Sequence, residues 1–94
     1  MKLDLSTVAM LTSTPALRTV FKHVVEKRKA DFREIYAQVS KEAQREEVVA
    51  FLQQLKNEEL IAVASAPLVD FNVYYVTAKG LGVEREMRKM VNGF

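Results

Sequence analysis

From residue 14 onward the apolar positions repeat first at helical and then at strand spacing. Thr14-Pro15 reads as an N-cap followed by proline in the first helical turn. Leu17, Val20, Phe21, Val24 and Val25 then fall at i, i+3, i+4, i+7 and i+8, one face of an amphipathic helix running to about Lys29. Asp31 and Glu34 have capping-box spacing, and Phe32, Ile35, Tyr36 and Val39 repeat the helical stripe. Ser40 to Ala43 is a short polar break. A third helix is predicted over about residues 43–57, with Val48, Phe51, Leu52 and Leu55 on its apolar face and Val49 at the edge. Gln44, Arg45, Glu47, Gln53 and Gln54 lie mostly on its other sides.

Beyond Asn57 the period changes. Leu60–Ala64 and Phe71–Thr77 are rich in β-branched and aromatic residues, which predicts two antiparallel strands joined by a loop around Ala66–Asp70. Tyr74 and Tyr75 alternate across the second strand, so one belongs to the core and the other to the surface. A short helix, about 81–91, closes the chain, with Leu81, Val83, Met87, Met90 and Val91 as its apolar residues. Gly80 and Gly82 blur its start. Leu3, Leu5, Val8, Met10 and Leu11 make the first dozen residues apolar enough to pack.

The order helix, helix, helix, hairpin, helix describes an α+β winged helix-turn-helix: three helices, a two-stranded antiparallel wing and a short C-terminal helix. An isolated hairpin is marginal in water, so the wing must lie against the helices. Without repeat or linker, the 94 residues form one domain, with its core at about 15–82 and terminal segments suited to dimerisation.

Composition narrows the chemistry. With no cysteine and a single histidine, His23, no disulfide and no Cys/His metal site is expected. No apolar run reaches a membrane span, and Met1-Lys2-Leu3-Asp4 is not a secretory start, so a cytoplasmic protein without a membrane partner is expected. No phosphate loop, Ser-His pair or HExxH helix is present, so neither an enzyme nor a cofactor is expected. The net charge of +2 conceals segregation: residues 14–33 carry +4, 34–60 carry −3, 61–76 carry only Asp70, and 77–94 carry +2. Lys27-Arg28-Lys29 reads either as a phosphate patch or as a solvated helix end.

The stretch Leu52-Gln-Gln-Leu55-Lys-Asn-Glu-Glu-Leu60-Ile61, then Asp70, then Tyr74-Tyr-Val-Thr77-Ala-Lys79-Gly80 resembles the winged-helix transcriptional regulators of the MarR and ArsR kind. The resemblance implies that helix 43–57 is a recognition helix entering the major groove of double-stranded DNA. It implies base contacts from Gln44 and Arg45 with Lys41 beside them, and phosphate contacts from Arg33, Lys41 and Lys79.

This chain also departs from that pattern. Glu42, Glu46 and Glu47 crowd the start of the recognition helix. The wing carries no Lys or Arg, and Phe71-Asn72 follows Asp70 where the relatives have an arginine. Glu59 stands where they have a helix-ending glycine. The apolar loop Leu68-Val69 reads as a surface for a protein partner or as a segment folded back onto the termini. Met87, Met90 and Val91 read as a homodimer seam or as internal packing. Two functions follow from these features: a DNA-binding regulator, or a winged-helix protein-interaction module without DNA binding.

Overall fold

Helix α2 (Pro15–Lys27) is the hub of the molecule, and its whole predicted stripe, Leu17, Val20, Phe21, Val24 and Val25, is buried. Each such side chain taken from water contributes on the order of 2 kcal/mol. The computed structural model describes residues 3–94; the reading of Met1 and Lys2 lies outside them. Ahead of α2, helix α1 (Leu5–Ser13) packs Leu11 into the core.

Helix α2 ends two residues earlier than its periodicity suggests, because Arg28 adopts φ 69° and turns the chain. The Arg28 guanidinium donates to the Val25 carbonyl at 3.1 Å, satisfying one of the open helix-end acceptors. Lys29–Asp31 then form strand β1 rather than a last helical turn. Lys29 pairs opposite Tyr75, Ala30 opposite Tyr74 and Asp31 opposite Val73. The expected two-stranded wing is therefore a three-stranded antiparallel sheet in the order β1-β3-β2, with β2 at Ile61–Ala64 and β3 at Val73–Val76. Three residues are too short to show an alternation, which is why β1 leaves no trace in the hydrophobic pattern. Tyr74 is the buried tyrosine and Tyr75 the exposed one.

Helices α3 (Phe32–Val39) and α4 (Arg45–Asn57) form the helix-turn-helix. The Asp31 carboxylate accepts from the Glu34 N–H at 2.9 Å and starts α3. The Glu47 carboxylate accepts from the Gln44 N–H at 2.8 Å and starts α4.

The far end of α4 is a Schellman turn. The Leu60 N–H donates to the Leu55 carbonyl at 3.0 Å and the Glu59 N–H to the Lys56 carbonyl at 2.9 Å. Glu59 occupies the left-handed position at φ 62°, where glycine is free and a Cβ is strained. Leu55 and Leu60 meet beneath this turn, both fully buried.

Helix α5 (Ala78–Met90) begins three residues earlier than expected. The Thr77 hydroxyl accepts from the Gly80 N–H at 2.9 Å and donates to the Glu59 carbonyl at 2.7 Å. Gly80 is pressed against the chain: a Cβ there would overlap the Leu60 carbonyl oxygen and stand 3.0 Å from the Val76 side chain. The Thr-Ala-Lys-Gly signature is thus a junction of α4, the sheet and α5. Among the described residues no helix is long and apolar enough to cross a membrane.

Candidate nucleic-acid interface

Helix α4 presents its amino end to solvent. Gln44, Arg45, Glu46 and Glu47 are all exposed, with Lys41 and Glu42 in the turn before them. Val48, Leu52 and Leu55, on the opposite side, anchor the helix in the core. The expected trio Lys41, Gln44 and Arg45 therefore stands together on one surface.

Arg45 is not free on that surface. Its guanidinium is ion-paired with Asp70 of the wing and lies 5.1 Å over the Phe32 ring. Phe32 in turn stacks on Tyr36, with ring centroids 6.1 Å apart and planes 9° from parallel. Arg33 repeats the arrangement one step along, 3.3 Å from the Asp31 carboxylate and 5.0 Å over the Phe71 ring. The Glu34 N–H, with the Arg33 cation beside it, holds the Asp31 carboxyl below the usual carboxylate range. Phe32, Arg33, Tyr36, Ala37, Ser40, Arg45 and Asp70 line a shallow groove of about 390 Å³.

The wing loop creates this cluster by folding back on α3. A 3-10 turn at Val69–Phe71 is closed by the Phe71 N–H donating to the Leu68 carbonyl at 3.0 Å. Asn72 ties both flanks. Its carbonyl accepts from the Phe32 N–H at 3.1 Å, and its side-chain oxygen accepts from the Ala66 N–H at 2.7 Å. Phe71, the residue in place of a wing arginine, is 53% exposed and carries the Arg33 guanidinium on its face. A cation thus stands at the wing after all, supplied by α3. The role of Asp70 and Phe71 as supports is invisible in the sequence, because they meet Arg45 and Arg33 only through the fold of the loop, and Phe32 meets Arg45 only through the packing of α3 on α4.

The remaining predicted residues disperse. Lys79 is exposed at the β2 edge beside Lys56 and Glu59, away from the α4 amino end. Leu68 is 62% exposed, but Val69 is half-buried against the core, so the apolar tip is not a two-residue surface. Met87 is fully buried within the single chain, a correction to its reading as an interface residue: the α5 stripe turns it onto the core. Val91 is half-buried in the same packing, and Met90, at 61%, is the exposed member of that group. The two basic blocks of the sequence converge elsewhere, where Lys22 and Arg28 face Arg85 and Arg88 across a cleft between α2 and α5. Glu84, buried there, pairs with Arg88 at 2.7 Å.

Solved structures share this architecture. The reduced form of the transcriptional regulator YodB from B. subtilis superposes with a TM-score of 0.72 at 18% identity, over 96% of this chain and 87% of that one. The oxidised form of MarR from E. coli gives 0.70 at 10% identity, over 99% and 77%. BpsR of Bordetella bronchiseptica, whose DNA binding is regulated by 6-hydroxynicotinic acid, gives 0.69 at 18% identity, over 87% and 67%. No protein-family model and no curated sequence matches the chain. At these identities the likeness establishes the fold alone: this is a winged helix-turn-helix.

Proposed function

We propose that this chain is a DNA-binding transcriptional regulator that places the amino end of α4 in the major groove. The observation that carries the reading is the solvent-facing turn of α4, with Gln44 and Arg45 exposed and Lys41 and Arg33 flanking them, on a fold shared with regulators. Arginine matches guanine and glutamine matches adenine in that groove. Lys41 and Lys79 supply phosphate contacts, and Arg33, mounted on Phe71, stands in for the cation that the wing sequence lacks. Binding rather than catalysis is the activity, in the cytoplasm.

The regulator acts as a homodimer through its terminal helices. Leu5 of α1 and Met90 of α5 are large apolar side chains left exposed by those helices, and a dimer would set two recognition helices on successive half-sites. Met90→Asp in size-exclusion chromatography with light scattering is expected to shift the protein towards monomer.

Anisotropy titration of a labelled random duplex at low salt tests the DNA reading. Binding should weaken with salt, at a log–log slope of about −3 for one protomer making three phosphate contacts and about −5 for the dimer. A folded sample that shows no binding instead supports the rival reading, a protein-interaction module. Glu42, Glu46 and Glu47, crowded at the start of α4, are the observation that favours it.

A further inference from the structure

We infer that Asp70 is an internal competitor for DNA: it clasps Arg45 in the free protein and holds the recognition helix in a masked state, which opens when Arg45 leaves Asp70 for the groove. This rests on the DNA reading above and concerns how that surface is regulated. Three observations meet here. Asp70 sits at the centre of the 3-10 turn, and its carboxylate receives the Arg45 guanidinium from the first residue of α4. That guanidinium also lies on the Phe32 ring, so pairing and stacking both draw it along the protein surface and away from incoming DNA. Finally, the turn is positioned for this by contacts that do not involve Arg45 at all, through Asn72 to Phe32 and Ala66 and through Phe71 to Arg33. The carboxylate is thus held in place whether or not Arg45 is paired with it.

A carboxylate and a DNA acceptor want the same guanidinium face, since both accept two parallel N–H bonds. The clasp is half exposed at both partners, so it is weak and reversible rather than a structural tie. Its opening couples affinity to the charge at position 70. A neutral residue there unmasks Arg45, so the complex forms without first breaking the ion pair.

The test is an anisotropy titration of the full chain on a random duplex across a salt series, for the parent and for Asp70→Asn, Arg45→Gln and the double variant. Asp70→Asn is expected to tighten binding about two- to fivefold, the range of an exposed pair. In the Arg45→Gln background the same substitution should change nothing. A parent that binds and an Asp70→Asn variant with unchanged affinity overturn the clasp and leave the DNA reading standing. An equal gain in the Arg45→Gln background also overturns it, because removal of any negative charge would then explain the gain. Absence of binding by parent and variant alike overturns the DNA reading, and the clasp with it.

Discussion

The two ends of α4 are held by opposite means. At its carboxyl end the helix runs into a Schellman turn over two buried leucines, and Thr77 bonds across to the Glu59 carbonyl while Gly80 presses on the Leu60 carbonyl. The two leucines are shielded from solvent and the Gly80 contact is sterically tight. At its amino end the helix is tied to the wing by the half-exposed Arg45–Asp70 ion pair and to α3 by the Arg45 stack on Phe32, while Arg33 of α3 stacks on Phe71 of the wing. Exposed pairs of this kind are worth about 0–1 kcal/mol each, so that end can change partners. Rigid placement of the helix and freedom of its tip are what a groove-reading element needs together, and the fold supplies them at different ends of one helix.

The sharpest way to break this contrast is at the rigid end. Gly80→Ala drives a methyl into the Leu60 carbonyl, and a loss of about 3 kcal/mol is expected. That corresponds to a fall of about 12 °C or more in Tm by calorimetry. Thr77→Val removes both the cap of α5 and the bond to Glu59, with an expected loss of about 2 kcal/mol in urea unfolding. A loss as small as that of a surface residue at either site would mean that the junction does not position α4.

Smaller effects sharpen the same contrast. Glu59→Gly relieves the left-handed strain at φ 62° and should stabilise the protein by about 0.5–1 kcal/mol, read as a raised urea midpoint. Arg45→Ala at the loose end should cost less than about 1 kcal/mol of stability while weakening duplex binding about tenfold or more. A variant that loses stability instead would make Arg45 part of the scaffold. The smallest expected effect is that of Asp31. Its carboxyl is held below its ordinary range chiefly by the Glu34 N–H. The stabilisation it lends is therefore present above the unfolded-state pKa and is lost as pH falls through the lower folded-state value. Asp31→Asn should flatten that acid limb in chemical unfolding followed from about pH 5 to about pH 2.5.

How legible the molecule was in its sequence depends on the range of the contacts. The helical stripes of α2, α3 and α4 and the two long strands stand in the pattern because each buries a face at a fixed period. Strand β1 is absent from it, since three residues carry no period, and the Lys27-Arg28-Lys29 run masked the turn that makes it. Met87 illustrates a different gap. A stripe says that a residue is buried, not by what, and the packing of α5 on α2 turned it inward. Arg33 and Arg45 were visible as candidate contacts, but the Asp70 carboxylate that receives Arg45 and the Phe71 ring that receives Arg33 come from a loop 25 or more residues away.

The sequence by itself determined the α+β order of elements, the apolar core and the absence of cysteine chemistry, because these depend on residue type and local spacing. It also contained the Thr77–Gly80 signature, though not its reason. The tertiary structure alone decided that the wing, which has no cation of its own, borrows one from α3, that Arg45 meets Asp70, and that the basic blocks of α2 and α5 face one another. Charge acts through space over a few ångströms, and only the folded chain says which charges come that close.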